Sequence, residues 1–170
     1  MLPLIRSLGA LSLALLAAVV ARADLKVGDT FPSFASTGVV MIAGGELPAT
    51  AGKVILVDFW ASWCAPCKAS FPALGKIHQD FAARGLVLAA VSIDEKPAAA
   101  AAFAKKLAPP FFTLHDRELK LVRQVVVPTM PTSYLVDRSG KIRFVHEGFH
   151  GDASDKELRR QIAVLLAEKI

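Results

Sequence analysis

The apolar run from Lys53 to Trp60 (KVILVDFW) constrains the fold of this chain most, because a pair of cysteines follows it closely. The run is nearly continuous and rich in β-branched and aromatic residues, which is typical of a strand buried on both faces of a sheet. Similar runs occupy residues 86–93 and 133–136. Helical spacing of apolar residues lies between and after them, at 66–83, 97–107 and 154–168. Strands that alternate with helices predict an α/β fold with a mainly parallel centre.

The end of the chain predicts antiparallel pairing. Asp137-Arg138-Ser139-Gly140 separates two strand-like runs and is typical of a hairpin turn. The sequence therefore predicts a central mixed sheet with helices on both faces. Residues 27–47 have a weaker pattern, which we interpret as an N-terminal strand or hairpin extension.

Cys64 and Cys67 lie where the first predicted strand gives way to a helix. Unpaired N–H groups and the positive end of the dipole at a helix N-terminus stabilise a thiolate. We expect an exposed Cys64 with a lowered pKa to be the nucleophile. Cys67, about one turn later and more buried, is expected to attack the mixed disulfide. Pro66 can begin the helix without losing a needed donor.

Two other uses of the cysteines are weaker interpretations. A four-thiolate zinc site is impossible because the chain has only two cysteines. His146 and His150 have the spacing of a zinc-finger pair, but they lie too far along the chain from Cys67 for a compact finger. We expect these histidines to be solvated. A structural disulfide across two residues would close little chain entropy and so stabilise little.

Asp58 is the one carboxylate in the apolar run from Lys53 to Trp60. A buried carboxylate is unfavourable unless it has a partner or a task. Burial raises the pKa of such a group, which suits a base that works near neutral pH. The alternative is a structural Asp58 paired with a nearby lysine or with water.

The N-terminus has the pattern of an export signal. Arg6 is followed by an uncharged apolar run from Leu8 to Ala21, and Ala21-Arg22-Ala23 matches a signal-peptidase site. The run is shorter than the roughly 20 apolar residues of a membrane span. We expect a signal peptide at 1–23, cleaved after Ala23, and one domain at 24–170 in the periplasm or otherwise exported. An uncleaved membrane anchor is the alternative.

The charge distribution and the absence of certain motifs argue against nucleic-acid binding and against a bound cofactor. The net charge of +5 is spread along the chain without a basic cluster, so we expect no nucleic-acid partner. The sequence has no Gly-rich phosphate loop. We expect no cofactor other than a redox-active Cys64–Cys67 disulfide, and no metal.

Several segments together resemble exported thioredoxin-fold proteins of the TlpA/ResA type. Residues 57–68 (VDFWASWCAPCK) are similar to the thioredoxin active-site segment, and Pro72 matches a proline of its helix. Residues 130–141 (MPTSYLVDRSGK) resemble the segment with the family's cis-proline. Residues 28–34 (GDTFPSF) resemble the entry of the exported branch. That branch carries a βα insert before the cis-proline, for which 91–109 is well placed.

The resemblance implies roles for individual residues. Cys64 would be the attacking thiol, Cys67 the resolving thiol, and Asp58 the acid beneath Cys67 that takes its proton. Pro131 would be the cis-proline, with Pro128 as the competing candidate. The predicted substrate contacts are Trp63, Ala65, Pro66, Met130 and Pro131. Two positions depart from the family: Ser70 replaces a frequent glutamate, and Ala90 stands where thioredoxins have a lysine near the buried acid.

These observations predict a thiol-disulfide oxidoreductase that reduces disulfides of exported client proteins. The resemblance implies a membrane electron-transfer protein as its reductant, and we expect a monomer. One alternative is an envelope thiol oxidase, although Ala65-Pro66 lacks the histidine of strong oxidants. Another is a Sco-like copper-delivery protein, which uses cysteines three residues apart and a histidine. Here the gap between the cysteines is two residues.

Overall fold

A six-stranded mixed sheet forms the centre of the computed structural model, which describes residues 25–169. The strands are β1 (Val40–Ala43), β2 (Val54–Trp60), β3 (Leu86–Ser92), β4 (Phe112–His115), β5 (Thr132–Val136) and β6 (Ile142–Glu147). The helices are α1 (Phe34–Thr37), α2 (Ala65–Phe81), α3 (Pro97–Leu107), α4 (Lys120–Val125) and α5 (Asp152–Ala167), with a 3₁₀ turn at Ala82–Arg84. The predicted signal peptide lies outside the described residues. Within 25–169, no helix combines the length and apolar character that a membrane span needs.

The strand order is β1-β4-β3-β2-β5-β6. β2, β3 and β4 run parallel to one another, whereas β5 is antiparallel to β2 and β6 is antiparallel to β5. The predicted parallel centre and antiparallel end of the sheet are therefore confirmed.

Helices cover both faces of this sheet, as predicted. α2, α3 and α5 pack on one face, where their apolar residues form a core cluster with Leu56, Leu88 and Leu135. α1 and α4 pack on the other face against a second cluster that includes Val57 and Tyr134. Every residue of β2 is buried because helices cover both of its faces.

The turn between β5 and β6 forms as the sequence predicts. The Asp137 carboxylate accepts hydrogen bonds from the backbone N–H groups of Ser139 and Lys141 at 2.9 and 3.0 Å. Gly140 has φ +81°, a conformation that side chains rarely adopt. The turn joins two antiparallel strands whose register shifts once, between Leu135 and Val136.

Of two predictions about segments outside the central strands, one is confirmed and one needs new bounds. The 27–47 segment contains a strand, β1, which is one of the two predicted alternatives, together with α1; β1 pairs with the distant β4, so the hairpin alternative is wrong. The predicted insert at 91–109 covers α3, but residues 91–92 belong to β3 and the insert's strand, β4, lies after Pro109. β4 has only four residues, which is too short for a clear periodic pattern.

Candidate active site

The two cysteines lie at the start of α2, just after β2. Cys64 is the N-cap residue, and its Sγ accepts a hydrogen bond from the Cys67 N–H at 3.1 Å. Ala65 and Pro66 are the first two helical residues, so Pro66 occupies a position where no intrahelical N–H donor is needed. Cys64 and Cys67 are joined by a disulfide. One N–H group of the first helical turn, that of Cys67, therefore points at the Cys64 sulfur.

The two sulfurs differ in access to solvent, though less than predicted. Cys67 is completely buried, and Cys64 is 5% exposed. The open Cys64 expected from the sequence is thus largely covered in this disulfide-bonded state. Trp63, Ala65 and Pro66 are exposed around it, and Trp63 is 68% exposed. Three of the five residues predicted to contact substrate, Trp63, Ala65 and Pro66, therefore form the accessible rim of the disulfide.

An open groove of about 490 Å³ begins at Trp63. Its lining residues include Ser62, Trp63, Asp94, Lys96, Leu119 and Val122. The groove combines apolar side chains with charged ones beside the disulfide. The groove therefore reaches the cysteine pair through Trp63, the residue that precedes Cys64.

Asp94 holds the loop that leads to Cys64. Its carboxylate accepts hydrogen bonds from the Ser62 N–H at 3.0 Å and from the Ser62 hydroxyl at 2.7 Å. The Ser92 hydroxyl donates to the same carboxylate at 2.8 Å, and Asp94 is 3% exposed. The sequence analysis missed these hydrogen bonds of Asp94, which are called the Asp94 clamp below. Polar residues just past the ends of two neighbouring parallel strands were the available signal.

Asp58 lies on the face of β2 that carries the cysteine pair. Side chains alternate along a strand, so Asp58 shares a face with Leu56 and Trp60. Both of these residues belong to the core cluster that contains Cys64 and Cys67. The position beside Asp58 on β3 is Ala90, and the one on β5 is Ser133. No lysine therefore occupies either neighbouring strand position.

The Asp58 carboxyl group is almost fully buried, and one of its two oxygens accepts a hydrogen bond. Ser133 donates its hydroxyl hydrogen to Asp58 Oδ1 at 2.6 Å. Oδ2 has no hydrogen-bond partner among residues 25–169. Burial raises the Asp58 pKa to about 7, against a smaller lowering by the Ser133 hydrogen bond. The group can accordingly take up and release a proton near neutral pH. Ser133 is a second residue that the sequence analysis missed.

The Met130–Pro131 peptide bond is cis. Of the two candidate prolines, the structure therefore selects Pro131 over Pro128. Thr132 pairs with Phe59, so Pro131 lies next to the end of β2, on the side of the sheet where the loop to Cys64 begins. Pro131 is buried and Met130 is half-buried. The predicted cis-proline thus lies at the same edge of the sheet as the cysteines.

The two histidines behave differently. His150 is exposed, as expected for a solvated histidine. His146 is half-buried on β6, and its Nε2 lies 2.7 Å from Gln161 Oε1, so the prediction of a simply solvated side chain is wrong for this residue. The reason is α5, whose Gln161 covers the ring. Among residues 25–169, no group of three or more His, Cys, Asp or Glu side chains is arranged to hold a metal ion.

Comparison with known proteins gives a consistent result. The model of the Redoxin family matches residues 26–162. Thiol-disulfide oxidoreductase ResA from Bacillus cereus is 28% identical over 123 residues, which cover 71% of this chain and 69% of that protein.

Solved structures agree in fold. A protein described as thiol:disulfide interchange protein DsbE from Chlorobium tepidum is 33% identical, with a TM-score of 0.74 over 85% of this chain and 100% of the other. A thioredoxin family protein from Chlorobium tepidum TLS, 22% identical, has a TM-score of 0.68 over 85% of this chain and 100% of its own, which supports the thioredoxin fold. The chain therefore belongs to the Redoxin family and is a TlpA/ResA-like thiol-disulfide oxidoreductase.

Proposed function

We propose that this oxidoreductase acts as a reductant of disulfides in exported client proteins. The observation that carries the proposal is that the Cys64–Cys67 disulfide and a buried carboxyl group, Asp58, lie on the same face of the sheet. The cysteine pair stores two electrons when it is reduced. No bound cofactor is needed for that exchange.

In the first step, the Cys64 thiolate attacks one sulfur of the client disulfide. A mixed disulfide forms between Cys64 and the client, and the second client sulfur leaves as a thiolate. The N–H group of Cys67 lies 3.1 Å from Cys64 Sγ in the oxidised state. Donors and the dipole at the start of α2 favour the thiolate over the thiol at this position.

In the second step, Cys67 resolves the mixed disulfide. Its thiol gives its proton to ionised Asp58, and the resulting thiolate attacks Cys64 Sγ. The client sulfur bound to Cys64 leaves, and the Cys64–Cys67 disulfide forms. The client has then gained two electrons and the cysteine pair has lost two. The proton on Asp58 returns to solvent or to the departing client thiolate.

Client binding is assigned to the rim of the disulfide. Trp63, Ala65 and Pro66 are exposed there, and Trp63 also lines the open groove. On the other side, the backbone of Met130 next to Pro131 offers a place where an extended client segment can pair briefly. Recognition through backbone groups suits a protein that reduces clients of different sequence.

Two features support reduction over oxidation. A strong oxidant stabilises its reduced thiolate form unusually well. Ala65 and Pro66 supply no positive charge between the cysteines. Asp58, once ionised, adds a negative charge on the same face and so disfavours a thiolate. Both effects make the reduced form of the cysteine pair less stable, which favours its action as a reductant.

The proposal includes the cellular setting. Residues 1–23 serve as a signal peptide, and the mature protein from Asp24 onward works as a monomer outside the cytoplasm. A membrane electron-transfer protein then re-reduces the cysteine pair. Sequencing the N-terminus of the protein recovered from cells tests the cleavage after Ala23.

The reduction potential of the Cys64–Cys67 pair tests the direction of electron flow. The mature protein is equilibrated in graded thiol–disulfide buffers, and the fraction oxidised is measured. We expect a value near that of thioredoxin, about −270 mV. A value near that of a strong oxidant, about −120 mV, would contradict the proposed direction.

Single cysteine variants test the roles of the two thiols. C67S is expected to accumulate a mixed disulfide with a small disulfide substrate, because nothing resolves it. C64S is the matched control and is expected to trap far less, since the buried Cys67 cannot reach a client. Trapping by C64S instead of C67S would reverse the assignment.

A further inference from the structure

Three neighbouring parallel strands end at one edge of the sheet, where the loop to Cys64 begins. β2 ends at Trp60, β3 at Ser92 and β4 at His115, and Ser92 pairs with both of the other residues. In open α/β sheets, ligand sites lie outside the carboxyl ends of the parallel strands. The residues at these three strand ends are therefore placed to act on the segment that carries the reacting cysteine.

The His115 ring is buried at the end of β4 and faces the backbone of Asp94. The residue is 2% exposed, and its Nε2 lies 2.8 Å from the Asp94 carbonyl oxygen. A carbonyl oxygen can only accept, so Nε2 carries a hydrogen and donates it. The other ring nitrogen, Nδ1, has no hydrogen-bond partner within the described part of the chain. The hydrogen bonding of this ring is therefore directed at Asp94.

Asp94 connects His115 to Ser62. While the Asp94 carbonyl oxygen accepts from His115, its carboxylate accepts from the Ser62 N–H at 3.0 Å and from the Ser62 hydroxyl at 2.7 Å. The Asp94 N–H also donates to the Ser92 hydroxyl at 3.1 Å. The backbone of Asp94 is thus held on both sides, by Ser92 and by His115, while its side chain holds Ser62.

Ser62 lies in a turn that ends at Cys64. The Cys64 N–H donates to the Ala61 oxygen at 3.0 Å, which closes the turn with Ser62 and Trp63 at its centre. Trp63 lies between two anchored residues, since Asp94 holds Ser62 and Cys64 is the N-cap of α2. The Trp63 side chain is 68% exposed, so packing contributes little to its placement and the turn determines it.

We propose that His115 is a positioning residue for client binding, and that it acts through Asp94. It keeps the Asp94 clamp in place, the clamp holds the turn at 61–64, and the turn fixes Trp63 beside the attacking sulfur. This inference rests on the proposed contact of clients with Trp63. A turn that is already ordered loses less conformational freedom when a client binds, which strengthens binding.

The size of the disulfide substrate separates positioning from a general structural role. If His115 only stabilised the end of β4, its loss would affect all reactions of Cys64 alike. A positioning residue has a selective effect, because only a client large enough to reach Trp63 uses the ordered turn. A small disulfide meets Cys64 alone. The ratio of the rates with a large and a small disulfide therefore distinguishes the two roles.

The experiment measures mixed-disulfide formation by Cys64 in a C67S background, where the product is not resolved. The Cys64 thiolate attacks one sulfur of the added disulfide, and the other sulfur leaves as a thiolate. Insulin serves as the protein disulfide and hydroxyethyl disulfide as the small one. The rate with the small disulfide reports whether Cys64 is the attacking thiol, whereas the ratio of the two rates reports the positioning. The proposed function and the role of His115 can therefore fail separately.

H115N and H115Q form a matched pair, because both replace the ring with an amide. The longer Gln side chain can place its N–H₂ group where the ring has Nε2, whereas the Asn amide stops near the position of Nδ1. In H115N the ratio of the insulin rate to the small-disulfide rate is expected to fall about three- to tenfold, the range that one net intramolecular hydrogen bond can supply. H115Q keeps the donor and should restore most of the ratio.

Two further variants in the same background test the route of the effect. V54A removes buried methyl groups at the start of β2, the opposite end of this strand from Ser62. It should lower the free energy of unfolding and leave the ratio unchanged. In D94N the clamp is already disrupted, so adding H115N should lower the ratio little further. Equal ratios for H115N and H115Q, a V54A ratio as low as that of H115N, or a full additional loss in D94N/H115N would each overturn the proposal.

Hydrogen exchange in the unmodified protein gives a readout that needs no variant and holds even if H115N folds poorly. The His115 ring N–H and the Ser62 backbone N–H are each held by a hydrogen bond to Asp94. Both are expected to exchange with solvent much more slowly than unprotected amides. Rapid exchange at either group would show that the connection from His115 to the turn is not held, and would overturn the proposal.

Discussion

Ser133 donates its hydroxyl hydrogen to Asp58 from the position directly opposite it in the sheet, at an oxygen–oxygen distance of 2.6 Å. This contact joins β5, which follows the cis Met130–Pro131 bond, to β2, which leads to Cys64. It is the only side-chain hydrogen bond of the Asp58 carboxyl group within the described part of the chain. The ionisation of Asp58 therefore depends on burial and on this one donor.

Replacing Asp58 with Asn is expected to stabilise the protein at neutral and higher pH. Burial raises the Asp58 pKa to about 7, whereas the unfolded chain releases this proton near its ordinary value of 3.8. Between these values the folded state binds more protons, so its stability falls as the pH rises. The loss reaches about 4 kcal/mol above pH 7 as an upper value, and D58N avoids it. Urea unfolding from pH 4 to pH 8 measures the effect.

The control for D58N is E46Q, which removes an exposed carboxylate. Its stability should follow that of the unmodified protein across the whole pH range. The gap between D58N and the unmodified protein should widen from pH 4 to pH 7 and then stay constant. A gap that does not change with pH would contradict a raised Asp58 pKa.

Removing the Ser133 hydroxyl is expected to raise the Asp58 pKa further. S133A deletes the hydrogen bond that stabilises the ionised carboxylate, while burial stays the same. A hydrogen bond to a charged group contributes about 1.5–3 kcal/mol, so the Asp58 titration midpoint should move up by about one to two pH units. The ¹³C signal of the carboxyl group reports it directly. S133T keeps the hydroxyl and should restore a midpoint near that of the unmodified protein; if S133T and S133A behave alike, the hydrogen bond is not the cause.

The sequence predicts those parts of the molecule that depend on local pattern. α3 begins and ends at the predicted Pro97 and Leu107, because a first-turn proline and an alanine-rich segment define it. β2 and the start of α2 follow from a long apolar run and from Pro66. The α/β architecture follows from the alternation of such segments.

The remaining features depend on contacts between distant segments. Ser62 and Asp94 are 32 residues apart, and Asp58 and Ser133 are 75 apart. No periodic pattern indicates that such residues meet. His146 was misinterpreted for the same reason, since its partner Gln161 comes from a helix that folds back over β6. The sequence identifies which residues can carry chemistry, while strand register determines which of them meet.

The Asp94 clamp is expected to matter for both stability and reactivity. In D94N an amide N–H₂ replaces one acceptor oxygen and faces the hydroxyl and N–H donors of Ser62 and Ser92. Leaving buried donors unsatisfied costs about 1–3 kcal/mol, so the free energy of unfolding should fall by about that amount. We also expect the alkylation rate of reduced Cys64 to change, because Ser62 lies two residues before it.

E95Q is the matched control for D94N, since Glu95 is the neighbouring acidic residue and is exposed. It should change neither the unfolding free energy nor the alkylation rate. Equal effects of D94N and E95Q on alkylation would mean that net charge near the loop matters and that the hydrogen bonds from Ser62 do not.

Two adjacent glycines after β1 allow a test of how closely this edge of the sheet approaches β4. Gly44 and Gly45 both have positive φ, at +105° and +80°, so alanine is strained at either position. A Cβ at Gly44 would lie 2.8 Å from the Phe112 Cα, whereas one at Gly45 would meet no atom within 4 Å. G45A should therefore cost only the backbone strain, about 1–2 kcal/mol. G44A should cost about 1–3 kcal/mol more, because backbone at Phe112 cannot move aside as a flexible side chain would.

Urea unfolding of the two variants measures the difference. Since the backbone term is similar in both, equal losses would show that β1 does not approach β4 as closely as the pairing of Ala43 with Thr113 requires.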